Sequence, residues 1–290
     1  MYLRLMHPLG TAHHVNLPQG EVRYFERGRG RPVVFVHGVL TNAHLWRKVV
    51  PAVADAGFRC LAPDLPLGSH SVPMRSDADL SAPGLATLLG DFLTALDLED
   101  VILVANDTGG AITQLLLARY PERVGRVVLT PSDSFEYFFP PIFKPLPQLA
   151  RVPGSMAVLG QLLRIKALYP LPMLFGWVVK RPLPDDIAQE YLAKLRKSPG
   201  VQRDLRKFLR TVHPRHTLAA AEKLRQFKRP VLLVWAAEDK LFPIDLAHRL
   251  AALLPDAEVV EFPDSYTFVS EDQPAALAGH ITRFAAAMAD

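Results

Sequence analysis

Short, almost wholly apolar segments alternate along this chain with longer segments in which apolar residues recur every three or four positions. The short segments have the length and the Val, Ile and Leu content of buried strands, and the longer ones have the period of helices. Strands that are apolar on both faces are typical of parallel sheets covered by helices on both sides. The predicted strands are residues 33–36, 58–62, 101–105, 126–130, 231–235 and 258–262. The alternation therefore predicts an α/β fold with a mostly parallel, doubly wound sheet.

The alternation stops between residues 135 and 212. This stretch contains repeated prolines and short helix-like pieces, and none of it has strand-like composition. We expect one α/β core made of residues 1–134 and 213–290, interrupted by a helical cap, or lid, formed by residues 135–212. A length of 290 residues fits one large core with such an insertion.

Composition narrows the class of protein further. The 33 Lys and Arg residues against 29 Asp and Glu residues give a net charge of +4, which does not indicate a nucleic-acid partner. The single Cys60 excludes an internal disulfide and a cysteine zinc site. No apolar run approaches membrane length, so we expect a cytoplasmic protein with no membrane contact. Nothing in the sequence requires a metal or an organic cofactor, and nothing in it indicates an oligomeric state.

The most informative motif is Ala105-Asn106-Asp107-Thr108-Gly109-Gly110, which joins a predicted strand to a predicted helix. Small residues two positions before and two after a central residue permit a sharp turn that lifts the central side chain above the sheet. The central residue here is Asp107, and a carboxylate in this position can attack a saturated carbon to form an ester. The simpler alternative is that Asp107 caps the helix that follows it.

A His37-Gly38 pair ends the first apolar strand. A turn of this kind typically places a backbone N–H opposite the sharp turn, so Val39 and Thr108 are predicted to form an oxyanion hole. The side chain of His37 either borders the substrate pocket or ties down its own loop, and we expect the second.

These features, in this order over nearly the whole chain, resemble the α/β-hydrolase superfamily, and within it the branch of haloalkane dehalogenases and epoxide hydrolases. HGVLTNAHLWRKVVP is similar to that branch's oxyanion loop and first helix, and VLLVWAAEDKLFP to the strand and turn that present the acid of a catalytic triad. FPDSYTFVSEDQP is similar to the loop that carries the catalytic histidine. The resemblance implies a lid after the sixth strand, a hydrolase with Asp107 as nucleophile, and Asp239 as the triad acid.

The chain departs from that branch at several positions. Thr267 stands where the resemblance places the catalytic histidine, and a hydroxyl cannot accept a proton from water near neutral pH. Val39 and Thr108 stand where a dehalogenase has an Asn and a Trp that hold the leaving halide. Leu40 replaces the proline of the epoxide-hydrolase signature.

Two residues are candidates to complete the site. His70 follows a core strand at the sheet edge where active sites form, and it is the first choice as a substitute base, with a loop role as the alternative. Asp133 follows another core strand and is an alternative acid, or equally a turn former. The resemblance leaves Tyr137, Tyr169 or Tyr191 to polarise an epoxide oxygen, with core packing as the alternative.

The lid composition indicates the substrate. Phe135, Tyr137 and the apolar stretch 171–179 are predicted to cover a pocket for a small to medium hydrophobic substrate, although they could also pack lid to core. Three functions remain open: hydrolysis through Asp107, a lyase, cyclase or isomerase reaction with Asp107 as general base, and ligand binding without catalysis.

Overall fold

Eight strands form one sheet in the computed structural model, which describes residues 7–287. The strands are β1 (Thr11–Leu17), β2 (Gly20–Arg27), β3 (Pro32–Val36), β4 (Arg59–Pro63), β5 (Val101–Asp107), β6 (Val124–Ser132), β7 (Val231–Ala236) and β8 (Ala257–Phe262). Their order across the sheet is β1-β2-β4-β3-β5-β6-β7-β8. The β1–β2 and β2–β4 pairs are antiparallel, and every other neighbouring pair is parallel.

The helices connect and cover these strands. They are α1 (Val50–Asp55), α2 (Ala82–Ala95), α3 (Thr108–Leu117), α4 (Pro145–Leu149), α5 (Ser155–Leu162), α6 (Asp185–Lys197), α7 (Pro199–Leu209), α8 (Arg215–Leu224), α9 (Asp245–Leu253), α10 (Val269–Asp272) and α11 (Pro274–Ala286). Helix α1 packs against α11, whereas α2, α3, α8 and α9 form a second contiguous group. The α/β fold with a mostly parallel, doubly wound sheet is therefore confirmed.

The central strands β3, β5, β6 and β7 are buried along nearly their whole length. Their Val, Ile and Leu side chains pack against helices on both faces, which is why these segments lack an apolar–polar alternation. The edge strand β1 is mostly exposed and is correspondingly polar.

The strand order creates a crevice at one edge of the sheet. From β3 the chain crosses through α1 to β4 on one side, whereas from β5 it crosses through α3 to β6 on the other. Adjacent parallel strands whose connections leave in opposite directions open a gap between their carboxyl ends, where ligands bind in sheets of this type. The loop after β3 begins with His37, and β5 ends with Asp107.

Helices α4 to α7 lie between β6 and β7 and belong to the lid, whose limits at residues 135 and 212 remain a prediction. Helix α5 packs against α6 and α7, so these helices form one layer. The lid follows β6, the sixth strand of the chain.

Candidate active site

Asp107 lies at the point where β5 passes directly into α3. Its backbone has φ 54° and ψ −133°, a conformation that side-chain-bearing residues rarely adopt. The side chain makes no capping hydrogen bond to α3, so the capping alternative has no support in the geometry. The strained turn lifts the carboxyl group above the end of the sheet.

Two glycines make room for this turn. A Cβ added at Gly38 would lie 2.1 Å from Oδ2 of Asp107, and one added at Gly109 would lie 2.6 Å from the carbonyl oxygens of Val36 and His37. Both distances are shorter than any real Cβ contact. The loop after β3 can therefore lie this close to the turn only because Gly38 and Gly109 have no side chains. The His-Gly pair and the small residues after Asp107 therefore both allow the loop after β3 to lie against the turn at Asp107.

Burial raises the pKa of the Asp107 carboxyl group from 3.8 to about 7, against a lowering effect of the nearby backbone N–H groups of Thr108 and Val39 and with a further increase from the nearby charge of Asp239. The two N–H groups predicted as an oxyanion hole thus lie beside the carboxylate itself.

Asp133 lies one residue beyond the end of β6 and is fully buried. Its Oδ2 accepts a hydrogen bond of 3.0 Å from Thr108 Oγ1, and no described side chain or backbone group bonds to its Oδ1. Burial, followed by the neighbouring Asp107, raises the pKa of Asp133 well above 3.8. A buried carboxyl group beside another one is most stable in its neutral, protonated form.

A third carboxyl group, that of Asp239, lies in the turn after β7. Its Oδ1 accepts hydrogen bonds from the N–H groups of Leu241 and Phe242, both at 2.7 Å, and from Thr267 Oγ1 at 3.1 Å. Its buried Oδ2 has no partner among the described residues. Burial raises the pKa of Asp239 to about 7. All the stabilising donors therefore converge on one oxygen and leave the other free to act.

Asn106 fixes the loop that carries Thr267. Its Nδ2 donates to the carbonyl of Thr267 at 2.8 Å, and also to Thr130 Oγ1 and the carbonyl of Pro131. Since Asn106 directly precedes Asp107, these bonds hold the Thr267 loop beside the turn after β5. The sequence alone does not indicate this role of Asn106.

A cavity of about 310 Å³ lies above Asp107, between the core and the lid. All but three of its lining side chains are apolar, and Asp107 is the one ionisable residue among them. The lining residues are Val39, Leu40, Thr41, Asp107, Thr108, Phe139, Pro140, Phe143, Leu146, Leu159, Leu162, Leu163, Leu168, Leu171, Met173, Leu174, Phe175, Val178, Leu192, Leu241 and Phe268. Such a lining accepts neutral, apolar molecules and rejects charged ones.

The hydroxyl groups of the two threonines on this surface already donate hydrogen bonds to other protein groups. Thr41 Oγ1 donates to the carbonyl of Gly38 at 3.0 Å, and Thr108 Oγ1 donates to Asp133. Because a hydroxyl carries one proton, neither has a second to offer a ligand in this arrangement. Among the described lining residues, no other side chain is a hydrogen-bond donor.

The predicted pocket residues His37, Phe135 and Tyr137 are not among those that line this cavity, which corrects that prediction. Phe135 has φ 52°, and its ring packs 4.2 Å under the guanidinium group of Arg249, on the core. The turn from residue 134 to residue 137 therefore directs Phe135 and Tyr137 elsewhere, and the part of the lining that follows β6 begins at Phe139. Of the stretch 171–179, five residues do border the cavity: Leu171, Met173, Leu174, Phe175 and Val178.

The two candidate histidines are held by other groups. His37 is buried, with Nδ1 at 2.8 Å from the carbonyl of Gly38 and Nε2 accepting from the N–H of Leu65 at 2.8 Å, so it ties down its own loop. Burial lowers the pKa of His37 to about 4, which keeps it neutral. His70 does not line the cavity, and its Nε2 lies 3.2 Å from Oδ2 of Asp204 in lid helix α7. Its position favours the alternative loop role.

Tyr169 and Tyr191 are also absent from the cavity lining. The hydroxyl of Tyr169 donates to the carbonyl of Leu163, and that of Tyr191 lies against Glu271. Within residues 7–287, no group of three His, Cys, Asp or Glu side chains is arranged to hold a metal ion.

The sheet order, the strained turn after β5 and the helices that flank the sheet together define an α/β-hydrolase fold. A family model described as alpha/beta hydrolase fold matches residues 31–159. The chain is 30% identical over 254 residues to the non-heme chloroperoxidase CPO-A1 of Kitasatospora aureofaciens, covering 84% of this chain and 88% of that protein. The chain therefore belongs to the α/β-hydrolase family of enzymes.

Two further comparisons concern haloalkane dehalogenases. Haloalkane dehalogenase 2 of Mycobacterium tuberculosis is 27% identical over 273 residues, which is 91% of each chain. The crystal structure of the haloalkane dehalogenase DatA from Agrobacterium tumefaciens superposes with a TM-score of 0.76 at 23% identity, covering 96% of this chain and 97% of that one. The structural likeness confirms the fold, and the sequence relatives are enzymes.

Proposed function

We propose that this protein is a hydrolase in which the Asp107 carboxylate attacks an electrophilic carbon of a small to medium, neutral, apolar substrate and forms an ester with it. The observation that carries the proposal is that Asp107 is the one ionisable group on the wall of an otherwise apolar cavity. Its strained backbone and the two N–H groups beside its carboxyl group support the same role. The haloalkane dehalogenase among its relatives makes haloalkanes the first substrates to test.

In the first step, one carboxylate oxygen of Asp107 bonds to the substrate carbon while the bond to the leaving group breaks and the electron pair departs with that group. The nearby N–H groups of Val39 and Thr108 would hold the second carboxyl oxygen and so fix the direction of attack. Since the lining offers the leaving group no free side-chain donor, the substrate has to carry a leaving group that needs little stabilisation. We therefore expect bromides and iodides to react faster than chlorides.

In the second step, water attacks the carbonyl carbon of the ester, and a base has to take a proton from that water. We assign this role to Asp239, whose Oδ2 is free while three donors hold its Oδ1. Its neighbours Leu241 and Phe268 border the cavity, so the turn after β7 and the Thr267 loop both reach the site. A carboxylate with a pKa of about 7 is a suitable base at neutral pH.

These groups also carry the protons of the second step. The ester carbonyl oxygen becomes an oxyanion held by the N–H groups of Val39 and Thr108. When it collapses, the bond between Asp107 Cγ and the ester oxygen breaks, and the alcohol leaves with that oxygen and the proton that Asp239 received. Asp107 keeps the oxygen and the second proton of the water and then gives up that proton. Asp107 returns to its carboxylate form. Asp133, neutral and bonded to Thr108, takes no part in this proton transfer and positions the Thr108 turn.

Intact-mass spectrometry after incubation with 1-bromohexane and 1-iodohexane tests the proposal. We expect wild type to gain the mass of one hexyl group, located at Asp107 by peptide mapping, and to release hexanol. The Asp107→Asn variant should do neither, and a variant at the exposed Asp256, Asp256→Asn, should behave as wild type. Absence of the ester, or its persistence in Asp107→Asn, would exclude Asp107 as the nucleophile.

The Asp239→Asn variant separates the two steps. With Asp239 as the base, this variant should form the ester at an undiminished rate and retain it, so that halide release stops after one equivalent and no hexanol appears. If instead Asp239→Asn releases hexanol at the wild-type rate, the base is another group while the nucleophile assignment stands.

A further inference from the structure

The exposed apolar side chains of this protein are concentrated in the lid. Among the described residues, nine large hydrophobic side chains are at least 40% exposed, and seven of them lie in a single stretch between residues 149 and 173. We call these seven the lid face: Leu149, Val152, Val158, Leu162, Ile165, Leu171 and Met173. A monomeric protein in water rarely gathers so many exposed apolar groups in one place unless something covers them.

The charge of the same region is one-sided. From residue 137 to residue 184 the chain has no Asp or Glu, although it contains 29 acidic residues in total. The stretch carries six cations: Lys144, Arg151, Arg164, Lys166, Lys180 and Arg181. The first three form no described ion pair, and all three are exposed.

These cations lie among the apolar groups. Arg151 directly precedes Val152, and Arg164 lies between Leu162 and Ile165. Exposed apolar groups close in sequence to the unpaired cations Lys144, Arg151 and Arg164 match a surface of acyl chains below anionic headgroups. A second copy of this chain fits less well, because two lid faces would bring like charges together.

The lid face is continuous with the cavity. Leu162, Leu171 and Met173 belong to the exposed face and also line the cavity above Asp107. Part of the cavity wall is therefore formed by residues that are also exposed on the lid face. An apolar molecule that dissolves in a bilayer could pass from it into the cavity without crossing water.

We propose that the lid face docks on an anionic lipid surface, so that the cavity takes its substrate from the membrane. The proposal revises the sequence-based expectation of no membrane contact, which considered apolar runs long enough to span a bilayer. Among the described residues, no helix has the length and apolarity to cross one. Contact with the surface requires only exposed side chains, and it does not depend on the chemistry assigned to Asp107.

Vesicle flotation with the full chain tests this proposal. We expect the protein to float with vesicles of phosphatidylcholine containing phosphatidylglycerol, at least tenfold more than with phosphatidylcholine alone, and to be released by high salt, which screens the cations. The double variant Val152→Ser, Val158→Ser should reduce binding about tenfold, because both side chains are exposed and lie outside the cavity lining. The separate variant Arg151→Gln should weaken binding to anionic vesicles alone.

A matched control is available on the core. Tyr120 and Leu218 are both 45% exposed and lie outside the lid face, so the double variant Tyr120→Ser, Leu218→Ser should bind vesicles as wild type does. Equal loss in both double variants, equal binding to neutral and anionic vesicles, or no binding would overturn the proposal. Light scattering of the wild type decides the remaining alternative, since a dimer that the lid-face variant dissociates would make this face an interface between copies.

Discussion

Ionising Asp107 opposes folding, and this makes the stability of the protein depend on pH in a defined direction. Burial raises the pKa of Asp107 to about 7, from 3.8 in the unfolded chain. The folded state therefore holds the proton more tightly than the unfolded state does between these two values. The free energy of unfolding should be greatest below pH 4, fall as the pH rises toward 7, and change little above that.

The size of the effect follows from the same shift. Each pH unit between the two pKa values changes the unfolding free energy by about 1.4 kcal/mol, so the loss between pH 5 and pH 8 is at most about 3 kcal/mol. Asp107 borders a cavity and is partly exposed, which reduces the figure to about 1–2 kcal/mol. The Asp107→Asn variant cannot ionise and escapes this loss. Its stability relative to wild type should therefore increase by about 1–2 kcal/mol from pH 5 to pH 8.

Urea unfolding followed by far-UV circular dichroism at pH 5, 6, 7 and 8 measures the difference directly. The exposed variant Asp256→Asn serves as the control for the loss of one carboxyl group, and its difference from wild type is subtracted at each pH. A constant difference for Asp107→Asn, or one that shrinks as pH rises, would refute the argument that burial governs this carboxyl group.

Two substitutions test the remaining geometry. In Gly38→Ala, the new Cβ would lie 2.1 Å from Oδ2 of Asp107, so the rate of ester formation should fall by about 100-fold or more. The control variant Gly90→Ala, whose new Cβ has no atom closer than 3.9 Å, should keep the wild-type rate. Equal rates in the two variants would contradict the close approach of Gly38 to Asp107. In Thr267→His, an imidazole placed beside Asp239 should speed release of alcohol from the ester by about 100-fold or more, measured by single-turnover kinetics; if Thr267→Val, which has a similar volume and no base, does the same, the effect is not proton transfer.

The sequence predicted the central strands well because their signal is local. The predicted segments 33–36 and 101–105 lie within the observed β3 and β5, since a strand buried on both faces is a continuous apolar run. The β1–β2 hairpin was not predicted, because this local signal is absent from its first strand. Strand β1 lies at the edge of the sheet and is mostly exposed, so nothing in its composition distinguishes it from a loop.

One helix prediction was wrong in a way that Pro51 explains. Apolar spacing, with Leu45, Val49 and Val53 on one face, predicts a continuous helix over residues 43–56. The structure instead has a 3₁₀ turn at Ala43–Trp46 and a separate helix α1 from Val50. Proline lacks a backbone N–H, and its ring clashes with the carbonyl group four residues earlier, so a helix can begin at Pro51 but cannot run through it. The spacing of apolar residues carries no information about this break.

The candidate site likewise has one part that the sequence predicts and one part that it does not. The sharp turn at Asp107 was predictable because its requirements, small neighbours and a strand before a helix, lie within six consecutive residues. The wall of the cavity was not, because it depends on how the lid returns over the core. Phe135 lies close to β6 in sequence yet packs on Arg249, and His70 pairs with Asp204 from a helix more than a hundred residues away.

Electrostatics suggests an order of events for the proposed reaction. Asp107 and Asp239 each have a pKa raised by burial to about 7, and the charge of Asp239 raises that of Asp107 further. Because the repulsion is mutual, the site does not favour both charges at once. Formation of the ester converts Asp107 into a neutral group, and Asp239 then loses its proton more readily, at the step that needs a base. Release of the alcohol restores the Asp107 charge and favours protonation of Asp239, so each carboxyl group would be ionised when its own step requires it.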